Sequence, residues 1–166
     1  SSAASDVYKR QELVMPSSWV IDQEGIYYNP THSSELERIL LESSFDDAII
    51  ERARRLREKI VLQRISKYNL KGSNWERPEG AFRVILIPGQ VEMDASIRFG
   101  APADATNIGL LKRVREHHPD AYIVYKPHPD VVAKLRKKGV GEEQVADWCD
   151  EVVEDGDIVC MLDQVD

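Results

Sequence analysis

The sequence has few cysteines and no long apolar run. Cys149 and Cys160 are the only two cysteines among 166 residues, and neither belongs to a C-x-x-C pair or to a cluster with metal-ligand spacing. This usage predicts a reducing compartment and no metal site. No apolar run approaches the roughly 18–20 residues that cross a bilayer, and the N-terminus lacks a signal-peptide layout. We therefore expect a cytoplasmic protein, peripheral to the inner membrane only through parts outside this sequence.

Positive charge is scarce relative to negative charge. The 22 Lys and Arg residues stand against 29 Asp and Glu residues, which gives a net charge of −7. An acidic chain has no overall attraction to phosphate polymers or anionic lipid, which disfavours a general nucleic-acid or membrane-surface binder. Residues 142–166 hold ten acids and neither Lys nor Arg. They lack the calcium-loop spacing, which favours a solvated acidic face over a metal site.

Several catalytic and nucleotide-binding motifs are also missing. The sequence contains neither G-x-G-x-x-G nor G-x-x-x-x-G-K-[ST], so dinucleotide oxidoreductases and P-loop NTPases lose their main support. H-E-x-x-H and G-x-S-x-G are absent as well. The chemistry of this chain must therefore be sought in other residues.

The first half of the chain reads as a leader, a helical segment and a linker. Residues 1–11 are small, polar and aperiodic, which predicts a leader outside the fold. Within residues 12–66 we predict β-rich runs at 19–22 and 25–28, a short helix at 34–42 and an amphipathic helix at 46–64. Residues 67–80 gather Gly, Asn, Ser and Pro, which is typical of a linker.

The second half alternates between strand and helix patterns. Residues 82–88 form a β-branched run, residues 105–117 have helical spacing, and residues 121–125 form a second buried run. Short helical stretches at 130–138 and 142–149, a small strand at 151–153 and a helix start near 157 follow. This order predicts an α/β fold, an open parallel sheet with helices on both faces. Since another strand is expected after residue 166, we interpret 81–166 as a truncated Rossmann-like lobe.

Candidate functional residues follow the two main predicted strands. In an open α/β sheet, ligands bind outside the carboxyl ends of the strands. A glycine-bounded loop after the first strand carries an amide, two carboxylates, a hydroxyl and a guanidinium, on Gln90, Glu92, Asp94, Ser96 and Arg98. The second strand is followed by Lys126-Pro127-His128-Pro129-Asp130.

The two prolines of the second loop restrict their neighbours. Pro127 and Pro129 each lack a backbone donor and push Lys126 and His128 towards extended conformations. A rigid histidine at a strand's carboxyl end can donate to a phosphate, with support from amides that follow it. The alternative is a rigid turn whose imidazole caps a backbone group, and the sequence leaves both interpretations open.

Four separate segments resemble one known family. R-V-I-L-I-P-G-Q-V-E-M-D-A-S-I-R-F-G-A-P, T-N-I-G-L-L-K-R-V-R, Y-I-V-Y-K-P-H-P-D-V-V and the upstream S-K-Y-N closely resemble capsular polysaccharide synthesis proteins of the KpsC/LpsZ type, which are β-Kdo transferases. The resemblance covers residues 19–166. It implies a GT-B glycosyltransferase, with residues 12–66 as the end of the N-terminal lobe and residues 81–166 in the nucleotide-sugar lobe.

The resemblance also implies substrates and partners. The donor would be CMP-Kdo, with no cofactor, and the acceptor a lipid-linked poly-Kdo saccharide in capsule synthesis. A capsule-synthesis complex at the inner membrane is a further implied partner. Two alternatives stay open: another CMP- or CDP-dependent transferase, and a non-catalytic interaction module of such a complex.

Residue roles follow from the family motifs. The Gln-x-x-x-Asp-x-Ser motif falls on Gln90, Asp94 and Ser96, and the His-Pro motif falls on His128 and Pro129. The resemblance implies that Asp94 is the nucleophile of a retaining reaction through a covalent glycosyl-enzyme. It implies that His128 binds the CMP phosphate.

Other residues near the motifs have less defined roles. Lys126 and Arg98 are candidates for nucleotide-sugar binding. Glu92 and Asp94 share a face if their segment is extended, so Glu92 is either a base or an exposed acid. Met93 departs from the acidic residue common in the family at this position. Residues 66–69, S-K-Y-N, match a family segment, and the alternative for them is a hinge or interlobe contact.

Overall fold

The chain divides into two compact units, Ser1–Asn69 and Leu70–Asp166. A computed structural model describes residues 8–11, 19–66, 72–102 and 105–166. Residues 1–7 of the predicted leader and 67–71 of the predicted linker, including Lys67–Asn69 of the S-K-Y-N segment, lie outside the described residues. The domain boundaries given above therefore stay predictions.

The first unit begins with an antiparallel strand pair. Strand β1 (Tyr8–Gln11) pairs with β2 (Trp19–Asp22), with Tyr8 opposite Asp22. The sequence predicts β2 but places β1 in an unstructured leader, and this expectation is wrong for residues 8–11. Cross-strand hydrogen bonds organise a segment whose own composition carries no strand signal.

Residues 25–28 are a turn rather than the second predicted strand. A single bridge joins Ile26 to Asn29, and the Asn29 amide donates to the Ile26 carbonyl at 2.8 Å. The chain also turns just before this segment, where the Asp22 carboxylate accepts hydrogen bonds from the amides of Glu24 and Gly25, at 2.9 Å each. An aspartate that bonds to the backbone two or three residues ahead favours a turn.

Two helices follow, close to their predicted bounds. Helix α1 (Glu35–Glu42) starts at a capping box between Ser34 and Glu37. Helix α2 (Asp47–Leu62) starts where the Asp46 side chain accepts the Ile49 amide at 2.8 Å. No helix in the described ranges has both the length and the apolar character needed to cross a membrane.

The second unit is built on a parallel three-stranded sheet. Strands β3 (Val84–Pro88), β4 (Tyr122–Lys126) and β5 (Glu151–Val152) lie in the order β3-β4-β5. The helical elements between and after them are α3 (Ala95–Gly100), α4 (Asn107–His117), α5 (Pro129–Val132), a 3₁₀-helix (Glu142–Asp147) and α6 (Ile158–Leu162). The predicted β-α-β unit and the α/β class are confirmed.

The sheet is buried on both faces, as its apolar strands require. Successive residues of β4 point to opposite sides. Ile123 and Tyr125 join a cluster with Ile87, Leu111, Ala121 and Val145, whereas Val124 joins a second cluster with Trp75, Val84, Val153 and Met161. This double packing fixes the strands, so their carboxyl ends form a rigid platform for the loops that follow.

Two loop predictions need correction. The segment 88–100, expected to be a loop, contains helix α3 from Ala95 onward. The helical stretch expected at 130–138 is reduced to α5, which ends because Lys134 has a positive φ of 58°. The amides of Leu135 and Arg136 then both donate to the Asp130 carbonyl, at 2.8 and 3.0 Å. These contacts turn the chain away from the helix axis.

Candidate functional site

The carboxyl ends of β3 and β4 bring the two candidate loops side by side. Pro88 lies opposite Lys126 in the sheet register, and the Gly89 amide donates to the Lys126 carbonyl at 2.7 Å. The loop of residues 89–94 and the loop of residues 127–141 therefore leave the sheet from neighbouring strands, where ligands bind in open α/β folds.

Asn107, which the sequence analysis missed, organises the 89–94 loop. This buried residue accepts the Gln90 amide at 2.9 Å and donates through Nδ2 to the Gln90 carbonyl at 2.8 Å. The exposed Gln90 side chain donates to the Pro88 carbonyl at 3.3 Å. The only signal for Asn107 was its place in the T-N-I-G segment of the family resemblance.

Glu92 joins the same loop to two other segments. Its Oε1 accepts the Asn107 amide at 2.8 Å, and its Oε2 accepts the Val140 amide at 2.9 Å. A Cβ added at Gly139 would overlap this carboxylate, so the close approach requires glycine there. Because both oxygens are bonded to backbone amides, this geometry favours a structural role for Glu92 over the predicted base or exposed acid.

Asp94 points to a different partner from Glu92. The two residues sit in a turn in which the Asp94 amide donates to the Val91 carbonyl at 2.9 Å, so the extended segment that would give them one face is absent here. Asp94 precedes α3, and its Oδ1 pairs with the Arg136 guanidinium. Both side chains are about half exposed, at 43% and 49%. Arg136 was not singled out from the sequence.

His128 stands at the start of α5, directly before Pro129. Its Nδ1 accepts the Asp130 amide at 3.1 Å, and its side chain is 18% exposed. Since Nδ1 acts as the acceptor, the neutral ring carries its hydrogen on Nε2. The backbone cap is therefore present, and the same bond sets the tautomer in which Nε2 can donate to an anion.

A line of contacts joins Asp94 to His128. The Asp94 carboxylate pairs with the side chain of Arg136, whose backbone amide donates to the Asp130 carbonyl. The Asp130 amide in turn donates to His128. The structure thus links the acid of the first loop to the histidine of the second through two intervening residues.

The other predicted site residues lie outside the line of contacts from Asp94 to His128. Ser96 and Arg98 are exposed on α3, where the Arg98 guanidinium lies 5.1 Å from the centre of the Phe99 ring. The Lys126 Nζ donates at 3.3 Å to the carbonyl of Glu154, a residue that follows β5. Burial lowers the pKa of Lys126, while the charges of Asp155 and Asp157 raise it.

A cleft of about 210 Å³ lies beside the second loop. Its walls combine apolar side chains with two lysines and two glutamates: Tyr125, Pro127, Val131, Val132, Lys134, Lys138, Glu142, Val145, Val152 and Glu154. The Tyr125 hydroxyl donates to the buried Glu142 carboxylate at 2.5 Å, and burial, followed by this bond, raises the pKa of Tyr125. In the part of the chain described, no group of three or more His, Cys, Asp or Glu residues could hold a metal ion.

Comparison with known proteins points to one family. The family model for "Capsule polysaccharide biosynthesis protein" matches residues 76–166, more than half of the chain. The capsule polysaccharide modification protein LipA of Neisseria meningitidis serogroup B is 44% identical over 154 residues. That match covers 93% of this chain but 22% of LipA. The lipopolysaccharide-processing protein LpsZ of Rhizobium meliloti is 37% identical over 157 residues, which cover 92% of this chain and 36% of LpsZ.

Two solved structures share the fold. The β Kdo 2,7 transferase of Thermosulfurimonas dismutans KpsC is 44% identical with a TM-score of 0.62, and the match covers 81% of this chain and 40% of that one. The β Kdo 2,4 transferase of the same KpsC is 29% identical with a TM-score of 0.73, over 89% of this chain and 47% of that one. These likenesses confirm the predicted GT-B-like class. The chain spans about a fifth to a third of its curated relatives.

Proposed function

The chain belongs to the capsule polysaccharide biosynthesis protein family, and from this premise we propose that the protein is a glycosyltransferase that moves Kdo from CMP-Kdo to a lipid-linked saccharide acceptor. The similarity to the two KpsC structures, which are named as Kdo transferases, supports the donor sugar. The observation that carries the proposal is the line of contacts from Asp94 through Arg136 and Asp130 to His128.

Asp94 is the nucleophile in this proposal. A carboxylate oxygen of Asp94 attacks the anomeric carbon of Kdo, the bond from that carbon to the phosphate oxygen breaks, and CMP leaves with the electron pair. The acceptor hydroxyl then attacks the same carbon and loses its proton to a base. The bond to Asp94 breaks and the carboxylate is restored, so two inversions leave the anomeric configuration retained.

His128 stabilises the leaving group. Negative charge develops on the phosphate of CMP as the glycosidic bond breaks, and a fixed donor at that position lowers the barrier. The bond from the Asp130 amide to Nδ1 holds the ring and leaves the hydrogen on Nε2, which suits this task. Lys126, Ser96 and Arg98 remain proposed contacts of the nucleotide sugar, and Gln90 a proposed member of the catalytic loop.

Substitution of Asp94 and His128 tests the proposal in the intact protein. We expect Asp94→Asn and His128→Ala each to lower Kdo transfer from CMP-Kdo by 10²-fold or more, measured by CMP release and by mass spectrometry of the acceptor. Asp120→Asn and His32→Ala, which change exposed residues that belong to neither loop, are the matched controls. Full activity in both site variants would overturn the catalytic assignment of Asp94 and His128, whereas the absence of Kdo transfer in the wild-type protein would favour a non-catalytic module of a capsule-synthesis complex.

The proposed contact between His128 and the phosphate would also suit a donor other than CMP-Kdo. A histidine that donates to a phosphate does not select the group beyond it, so another CMP- or CDP-dependent transferase would use the same loop. Calorimetric titration with CMP-Kdo, CMP and CDP-glycerol separates the two. Tighter binding of CDP-glycerol than of CMP-Kdo would favour the second donor.

A further inference from the structure

Arg136 belongs to the loop of residues 127–141, and its side chain reaches Asp94 in the loop of residues 89–94. The chain turns at Lys134, which has a positive φ, and the amides of Leu135 and Arg136 both donate to the Asp130 carbonyl. Four residues later, the Val140 amide donates to Glu92. The backbone at Arg136 is therefore tied to the start of its own loop, beside His128, and the backbone after it is tied to the loop that holds Asp94.

The guanidinium of Arg136 keeps donors beyond the one it uses. Its Nη2 pairs with Oδ1 of Asp94, and within the described ranges this is the ion pair that the side chain makes. A guanidinium has five N–H donors in a rigid fork. Because Arg136 is half exposed, the remaining donors are accessible to a ligand beside Asp94.

The proposed reaction brings two negative groups together at this point. Kdo carries its carboxylate on the anomeric carbon, the same carbon that Asp94 attacks. Reacting atoms must approach to about 3–3.5 Å, so the sugar carboxylate comes within a few ångströms of the Asp94 carboxylate. Two like charges at such a distance repel strongly unless a cation lies between them.

We propose that Arg136 binds the carboxylate of the donor sugar while it holds Asp94, and so selects an anionic sugar. This inference rests on the proposed function and adds the residue that recognises the sugar. One guanidinium can donate to two carboxylates along different edges of its fork, which a lysine cannot reproduce. The Arg136 guanidinium thereby aligns the Asp94 carboxylate with the anomeric carbon, which bears the sugar carboxylate.

The other cations near the loops have different partners or positions. Lys134 and Lys138 line the cleft beside Pro127, Lys126 donates to the Glu154 carbonyl, and Arg98 lies on the Phe99 ring. Within the described part of the chain, Arg136 is the one cation that forms an ion pair with Asp94. This direct contact is the reason to assign sugar recognition to Arg136.

A comparison of two donors tests Arg136 in the intact protein. The donors are CMP-Kdo and an analogue whose sugar carboxylate is replaced by a carboxamide, and the proteins are wild type, Arg136→Gln and Arg136→Lys. We expect Arg136→Gln to lower kcat/KM for CMP-Kdo by about 10²-fold. The carboxamide analogue should react slowly with wild type, and Arg136→Gln should change its kcat/KM by no more than a few-fold. The kcat/KM of Arg136→Lys for CMP-Kdo should lie between those of wild type and Arg136→Gln. Lys137→Gln, an exposed neighbour of the same charge, is the control.

Two outcomes overturn the proposal. An equal loss for both donors in Arg136→Gln would show that Arg136 only orders Asp94, and unchanged activity with CMP-Kdo would show that it does neither. Thermal unfolding and CMP binding report whether each variant is folded. If Arg136→Gln does not fold, the donor ratio of Arg136→Lys decides by the same criterion.

Failure of the proposed function gives a separate result. If the wild-type protein does not transfer Kdo from CMP-Kdo, the transferase proposal fails. Binding of free Kdo and of its carboxamide, measured by ligand-observed NMR with wild type and Arg136→Gln, then still reports on Arg136. A preference for free Kdo that disappears in the variant supports the site, and equal binding of the two ligands rejects it.

Discussion

At the scale of single residues, Glu92 connects three segments through one carboxylate. Its oxygens accept amides from Asn107 at the start of α4 and from Val140 after α5, while its own backbone lies two residues before Asp94. A carboxylate that satisfies two backbone donors fixes the distance between the segments that carry them. These two hydrogen bonds therefore constrain where Asp94 stands relative to the second loop, and we propose a positioning role for Glu92.

Replacement of Glu92 by glutamine should test this positioning role. Gln has one acceptor oxygen, so one of the two amides loses its partner, and we expect a loss of about 1–3 kcal/mol in the free energy of unfolding. Urea unfolding followed by circular dichroism measures it, with Glu143→Gln, an exposed acid, as control. Transfer activity should fall but persist. Complete loss of activity in a fully folded variant would instead make Glu92 a catalytic residue.

The sequence reveals some site residues and hides others for a physical reason. Asp94 and His128 follow strands that apolar patterning makes visible, and the family motifs mark them. Arg136 and Asn107 act through partners far away in sequence, since Arg136 meets Asp94 across 42 positions and Asn107 meets Gln90 across 17. No local pattern encodes such pairs, because they depend on how the loops fold back over the sheet.

At the scale of elements, length and periodicity decide what could be predicted. Helices α2 and α4 and strands β3 and β4 follow clear apolar spacing and lie near their predicted bounds. Helix α3 has six residues, too few for a periodic signal. Helix α5 ends early because Lys134 adopts a conformation that its residue type rarely takes. Short elements thus depend on tertiary contacts that the sequence does not display.

The turn before α1 depends on a single ionised side chain. The buried Asp22 carboxylate accepts the amides of Glu24 and Gly25, and its second oxygen accepts the Glu35 amide at 2.8 Å. These backbone hydrogen bonds, that of Gly25 foremost, hold the pKa of Asp22 below its ordinary value of 3.8. One carboxylate therefore joins the end of β2, the turn and the first helical residue of α1.

Acid should weaken the first unit through Asp22. A folded-state pKa below that of the unfolded chain gives stability that is present above pH 3.8 and is lost as the pH falls through the lower folded value. We expect Asp22→Asn to unfold at a lower urea concentration than wild type at pH 7. The difference between the two urea midpoints should become smaller as the pH falls from 4 to 2.5. Circular dichroism at 222 nm follows the helices. Glu42→Gln is the control, and a gap independent of pH would contradict the assignment.

At the scale of the whole molecule, the two units differ in the kind of groups that they bury. In the described part of the chain, the groups with a raised pKa are Tyr122, Tyr125 and Cys149, and all three lie in the second unit. Burial is the main cause in each case. Tyr122 and Tyr125 belong to the central strand β4, and Cys149 packs against the cluster that contains Tyr125. The sheet is covered on both faces, which is the architecture that the β-α-β pattern predicts. The second unit should therefore be the more sensitive to alkali.

Tyr125 should carry much of that sensitivity. Its folded-state pKa lies above the ordinary value of 10.0, so above pH 10 the unfolded chain loses the proton first and stability falls as the pH rises. Tyr125→Phe removes the titrating group together with its bond to Glu142, and we expect a loss of about 1–3 kcal/mol at pH 8. Between pH 8 and pH 10.5 the variant should then lose less stability than wild type. Urea midpoints at the two pH values measure this difference, with Tyr27→Phe in the first unit as control. Equal losses in wild type and Tyr125→Phe would show that the alkaline transition arises elsewhere in the chain.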